Sequence, residues 1–211
     1  MLRAEKIFAR LRSAEPGPKY DPFVISPFPD IDKFKNSGSA AIDLRLGCWF
    51  TALRKTSVPL LSVDPTNKSH ESFCEEQYVR FGGSYILHPR SFVLAVTLEW
   101  IRLPVNLAGY IHGKSSWGRR GLVIATASVI HPGFTGCITL ELTNLGEVPI
   151  AIKPGIRISQ LCLHDAPSEN LEDVDQSSYI GSRKPKIGSV KGDDIADNLM
   201  KDQRIFDQSF P

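Results

Sequence analysis

From about residue 42 onward the chain is a succession of short apolar runs broken by Gly, Pro, Asn and Asp. Residues 85–87, 92–98, 122–124, 137–142, 150–152 and 156–163 are such runs, rich in Val, Ile, Thr and Phe. Turn signals (HPR, LPVN, HPGFTG, NLGEVP, KPG) separate them at intervals of roughly eight to twelve residues. That rhythm predicts an all-β sandwich or barrel; alternating β and α units would need longer amphipathic stretches between the strands. Residues 137–144 alternate strictly, with Ile138, Leu140 and Leu142 on one face and Thr139, Glu141 and Thr143 on the other. A period of two predicts a half-buried strand.

The two ends break the pattern. Residues 1–12 mix Arg, Glu and Lys with Leu, Ile and Phe at helical spacing, and a Pro-Gly-Pro stretch follows, so residues 1–20 read as a short helix and linker. The β domain is expected over residues 21–165. Residues 166–211 form a polar tail rich in Ser, Asp, Lys and Gly. It has too little apolar surface to order itself, so it is either dispensable or ordered by a ligand or a neighbouring subunit. Residues 193–200 are expected to form a final helical turn or two.

Composition narrows the class. With 211 residues, 42% hydrophobic and 23% charged, the chain suits one soluble domain with extensions. A net charge of +2 is too mild to predict a nucleic-acid partner, whereas a small phosphate-bearing ligand needs only a few local cations. No apolar run approaches the roughly 18 residues of a membrane span, and the N-terminus lacks the uninterrupted apolar core of a secretory signal. Cys48, Cys74, Cys137 and Cys162 form no CxxC pair and match neither a zinc site nor a small disulfide framework. A cytoplasmic protein with free thiols is the expectation.

The richest chemistry lies in Gly113-Lys-Ser-Ser-Trp-Gly-Arg-Arg-Gly121. Lys114, Ser115, Ser116 and Arg119 fall between glycines, where backbone N–H groups, hydroxyls and cations can together cradle a phosphate. A solvated polar loop is the alternative, and the order is not that of a Walker A loop. The HPGFTG turn then leads into the strand bearing Glu141, a carboxylate on the polar face. It is either a proton shuttle in a cleft or an exposed strand glutamate. His131 is a base, a ligand-contacting donor or a turn residue. Arg157 and Gln160 either meet a ligand or decorate a strand. Tyr179, Arg183, Lys184 and Lys186 combine an aromatic with cations, as a lid over an anionic nucleotide would, though a solvated basic tail has the same composition.

In order and spacing these segments resemble the dCTP deaminase family of dUTPase-like nucleotide enzymes. The resemblance runs from SAAIDLRLG (39–47) and LHPRSFVLA (87–95) through GKSSWGRRGL, HPGFTGCITLELTN and PGIRISQL (154–161), over roughly residues 22–192. It implies a distorted jelly-roll, dUTPase-like β barrel that assembles as a homotrimer with active sites at subunit interfaces. It also implies hydrolytic deamination of dCTP to dUTP and ammonia, with Mg²⁺ bound through the nucleotide phosphates and no metal ligand set in the protein. Carried over by motif, Glu141 is the proton donor and acceptor, and Ser115 and Arg119 order the attacking water and the base. Lys114 and Ser116 meet the phosphates, Thr139 and Leu140 flank the pyrimidine and sugar, and Gln160 matches the glutamine of the RIxQL strand. Tyr179 and Lys186 match the tail residues that close on the nucleotide. The zinc deaminase set is absent, since none of the five histidines is followed two residues later by Glu and no cysteine pair exists.

Four positions depart from the family. His131 stands where an aspartate is usual and cannot serve as the same fixed anion. Lys114 replaces an arginine, keeping the charge but losing the bidentate fork. Ile187 and Val190 stand where Tyr and Gln are expected. These departures leave two alternatives to deamination: a non-catalytic nucleotide-binding relative acting as sensor or regulator, and a dUTPase-type diphosphohydrolase, which His131 counts against.

Overall fold

Period-two patterning produces strands along most of the chain. The computed structural model describes residues 1–12, 21–27, 34, 38–53, 74–167 and 181–188. One helix, α1 (Ala4–Arg12), precedes β1 (Val24–Ser26), β2 (Ile42–Leu53), β3 (Cys74–Tyr78), β4 (Tyr85–Leu87), β5 (Phe92–Arg102) and β6 (Leu107–Gly113). A single helical turn, α2 (Ser115–Gly118), leads to β7 (Leu122–Ile124), β8 (Val129–Ile130), β9 (Thr135–Asn144), β10 (Ile150–Ile152) and β11 (Arg157–Asp165). Nearly all of this belongs to one compact unit, Met1–Leu53 with Glu75–Lys186; a second, Arg54–Cys74 with Ile187–Pro211, lies almost entirely outside the described residues.

The main sheet is antiparallel in the order β7-β9-β5-β2-β11-β6-β8, with β1 added to β5 and β3 to β2. β4 and β10 pair separately. Residues 122–130 link the two sheet ends: β7 pairs β9, β8 pairs β6, and the connector is pinned on both sides. Ala125 N–H donates to the Glu141 carbonyl at 2.9 Å, and Ile111 N–H donates to the Ser128 carbonyl at 2.9 Å. The sheet thus curls into a barrel-like wall.

The core lies inside this wall. β9 alternates as its sequence predicts: Ile138, Leu140 and Leu142 are buried, while Thr139, Glu141 and Thr143 are only partly so. They pack with Leu44, Leu46, Phe50, Val93, Ala95, Leu161 and Leu163. Each fully buried Leu or Phe contributes roughly 1.5–3 kcal/mol. α1 buries Ala4 and Ile7, Leu2 N–H donates to the Leu163 carbonyl at 2.8 Å, and Arg10 pairs with Asp165 at 2.7 Å.

Two strands run longer than their apolar patterns predict. β5 continues past residue 98 through a bulge, where its register shifts against both β2 and β9. There Thr97 Oγ1 donates to the Glu99 carbonyl at 2.8 Å and accepts from Ile138 N–H at 2.9 Å. β2 spans twelve residues, Ile42–Leu53. β6 carries two glycines and few β-branched residues, so its sequence gives little strand signal. Gly109 is there because a Cβ would sit 2.9 Å from Leu161 Cδ1. The expected helical turns at 193–200 lie outside the described residues.

Candidate active site

β6 delivers the Ser-Ser loop. It ends at Gly113, Lys114 is extended (φ −72°, ψ 129°), and Ser115–Gly118 close one helical turn. Lys114 N–H donates to the Ile158 carbonyl at 3.1 Å, and Trp117 Nε1 donates to the Arg157 carbonyl at 3.0 Å. The turn is therefore tied to β11 at both ends. Ser115, Ser116 and Arg119 are exposed, and their side chains have no partner among the described residues.

Lys114 and Gln160 converge on an acid that sequence reasoning gave no role. Lys114 Nζ lies 2.7 Å from Asp43 Oδ1, and Gln160 Nε2 donates to the same oxygen at 3.0 Å. Arg157 Nη1 stands 3.6 Å from Asp43 Oδ2. The signal for Asp43 was present: it falls between Ile42 and Leu44, both buried, so the strand period turns it outward.

A second group lies on β9. Glu141 is partly buried on the outer face, and its N–H donates to Thr126 Oγ1 at 2.8 Å. Its cross-strand neighbour is Leu94, and that of Thr139, on the same face, is Val96. The Glu141 carboxylate takes no hydrogen bond or ion pair among the described residues. Leu140 is wholly buried, its side chain on the core side, so only its backbone can contribute to the face that Thr139 and Glu141 share. His131 is exposed in the turn before β9, where its carbonyl accepts Phe134 N–H at 3.2 Å.

Part of the tail docks at the start of β9. Gly181 N–H donates to the Thr135 carbonyl at 2.7 Å, and Cys137 N–H donates to the Ser182 carbonyl at 2.9 Å. Gly136 between them has φ +144°, and a Cβ there would lie 3.1 Å from Ser182 O. Lys184 Nζ pairs with Glu76 at 2.8 Å and sits 4.1 Å from the Trp49 ring centroid. Beneath this segment, burial pushes the Cys137 thiol above its ordinary range; Arg183 works against the rise and Glu99 adds to it. Lys186 is exposed two residues further on, and Tyr179 lies outside the described residues, as does Val190.

The expected site residues thus form two groups, Lys114 with Gln160 near the Ser-Ser loop and Thr139 with Glu141 on β9. Among the described residues no hydrogen bond or ion pair joins Glu141 to Ser115, Ser116 or Arg119. Nor do three His, Cys, Asp or Glu side chains cluster as metal ligands there. A groove of about 500 Å³ lies elsewhere, on the β6–β11 surface, lined by Met1, Ala108, Tyr110, His112, Cys162, His164 and Asp165.

Comparison with known proteins agrees with the motifs. A family model described as dCTP deaminase-like matches residues 21–166. The chain is 35% identical over 197 residues to "dCTP deaminase, dUMP-forming" of Halobacterium salinarum, covering 92% of this chain and 96% of the relative. It is 38% identical over 159 residues to "dCTP deaminase" of Natronomonas pharaonis, covering 73% and 80%. A "dCTP deaminase, dUMP-forming" of Mycobacterium tuberculosis is 43% identical over 151 residues, covering 69% and 78%. The crystal structure of a 2'-deoxycytidine 5'-triphosphate deaminase from Agrobacterium tumefaciens shares the fold, with a TM-score of 0.55 at 21% identity. The match covers 77% of this chain and 46% of that one, less than half its length.

Proposed function

The chain belongs to the dCTP deaminase-like family, and from that premise we propose that it hydrolyses dCTP to dUTP and ammonia. The observation that carries the reading is the outward pair Thr139 and Glu141 on β9, inside the residues that the family model matches.

Water attack at C4 of cytosine places charge on N3 and requires the exocyclic nitrogen to leave. A single carboxylate can serve every proton transfer: Glu141 takes one proton of the attacking water and delivers it to N3, then takes the second from the new C4 hydroxyl and passes it to the departing amine. One water is consumed, and ammonia and dUTP leave. Leu94 beside Glu141 keeps one flank of the acid apolar. Ser115 and Arg119 order the water and the base, Lys114 and Ser116 receive the phosphates, and Gln160 supports them. Thr139, the Leu140 backbone and His131 flank the pyrimidine and sugar. Tyr179 and Lys186 close over the nucleotide.

Two features of the single chain support an assembly with shared sites. The Glu141 carboxylate lacks a partner among the described residues, and the hydroxyls and guanidinium meant for it sit in another group. In a homotrimer a neighbouring copy supplies the missing half. Mg²⁺ would be bound through the triphosphate and would neutralise part of its charge, while Lys114 and Ser116 would hold the phosphates. A cytoplasmic location fits four free thiols, and no described helix is long and apolar enough to cross a membrane.

A second reading has a specific basis, because two relatives carry the name dUMP-forming. Ammonia and pyrophosphate release from CTP, dCTP and dUTP, measured with Mg²⁺, separates the outcomes. Ammonia from dCTP alone is the expected result. Both products from dCTP favour the dUMP-forming reading. Stabilisation by dCTP with no ammonia overturns the enzyme reading in favour of a nucleotide sensor.

A further inference from the structure

The SAAIDLRLG segment has no task in the reaction described so far, yet its acid is the residue on which the phosphate-binding group converges. Asp43 Oδ1 receives Lys114 Nζ at 2.7 Å and Gln160 Nε2 at 3.0 Å, while Oδ2 faces Arg157 Nη1 at 3.6 Å. Gln160 is also the direct cross-strand partner of Asp43, so β2 and β11 fix the two side chains in register.

Such a carboxylate is an odd neighbour for a triphosphate, because it repels the anion that the site must bind. Its contribution to stability is a weak explanation, since partly exposed ion pairs add little. The compensating gain is order. An ammonium has three donors; Asp43 takes one and leaves two directed away from it. A lysine without a partner spreads over many rotamers and must be ordered again at each binding event. Lys114 is also tied by its backbone to Ile158, and Trp117 to Arg157, so the entry to the Ser-Ser turn is held against β2 and β11 together.

We propose that Asp43 is a positioning residue for triphosphate recognition, clamping Lys114 and Gln160 so that their remaining donors meet the phosphates. This rests on the reading that Lys114 binds phosphate. A residue acting in this way changes affinity according to the number of phosphates, which a merely structural role does not do.

Titration calorimetry with dCTP and dCMP in Mg²⁺ tests the clamp. Asp43→Asn is expected to weaken dCTP about tenfold, the loss of roughly one well-placed charge-assisted contact. Affinity for dCMP should stay within about twofold. Asp43→Asn combined with Lys114→Met should weaken dCTP binding by less than the two single losses together, since the acid acts in large part through the lysine. Equal losses for the two nucleotides, additive losses in the double variant, or unchanged dCTP affinity overturns the clamp. Wild-type protein that binds dCTP while Asp43→Asn behaves identically sinks the clamp alone. Wild-type protein that binds no dCTP overturns the functional reading and the clamp with it.

Discussion

Glu99, only 1% exposed, accepts two hydrogen bonds from Arg45: one from the backbone N–H at 2.8 Å and one from Nε at 2.7 Å. The pair sits on the bulge where β5 changes register against both neighbours. Removing the guanidinium strands a carboxylate inside the wall. Arg45→Met should cost on the order of 3 kcal/mol, read as a lowered urea midpoint. Glu99→Gln should cost less, because the charge it leaves unpaired is the Arg45 guanidinium, 34% exposed and so partly solvated. A midpoint for Arg45→Met equal to wild type would show that the pair is dispensable.

Glu141 contributes no side-chain hydrogen bond to the described structure, so its replacement tests chemistry apart from stability. Glu141→Gln should lower ammonia release at least about a hundredfold. The stability change should stay within about 0.5 kcal/mol. Retained deamination would assign the proton transfers to another group.

His131 is exposed, and among the described residues it engages the fold through its carbonyl, its side chain making no hydrogen bond. Its side chain is therefore free to be exchanged. His131→Asp should raise deaminase activity or sharpen the preference for dCTP over CTP, seen as a changed ratio of kcat/KM values. A swap that inactivates the enzyme would mean that the site is built around imidazole.

Asn144 is fully buried, and its one amide ties together three backbone groups. Its Nδ2 donates to the Leu87 and Val148 carbonyls at 3.0 and 2.9 Å, and its Oδ1 accepts Gly146 N–H at 2.9 Å. Asn144→Ala leaves all three groups unpaired and should destabilise by about 3 kcal/mol in chemical denaturation. It should also loosen the loop after β9, readable as faster amide exchange at Gly146.

Burial holds the Cys137 and Cys162 thiols above their ordinary range. The folded state then keeps its thiol protons at a pH where the unfolded chain releases them. Stability is fully present below the ordinary thiol range and declines as pH climbs through it toward the raised folded values. Thermal midpoints should fall as pH rises above the ordinary thiol value of about 8.5, and Cys137→Ala should flatten that slope. Parallel slopes for the two proteins would rule out Cys137 as a source.

Much of this was legible beforehand because strands announce themselves by alternation. Residues 137–144 fixed which side of β9 is core, and with it the outward direction of Glu141. β6 escaped notice because Gly109 and Gly113 replace the β-branched residues that usually mark a strand; at Gly109 the close packing of Leu161 against the backbone favours glycine. For Asp43 the strand period gave the outward direction but not the partners, which come from residues 114, 157 and 160; proximity across a sheet leaves no trace in linear spacing. Leu140 was assigned by motif to the ligand, but its side chain belongs to the core, a distinction that the period of two already contained.

The missing methyl at Gly136 has a reach beyond its own strand. With any side chain there, the carbonyl of Ser182 that accepts Cys137 N–H would have to give by a few tenths of an ångström, and the backbone at φ +144° would be strained. The course of a hydrophilic segment more than forty positions downstream is thus inscribed in the barrel, at a spot where the barrel keeps a vacancy for it. The path of residues 181 and 182 along β9 turns on a single hydrogen atom there.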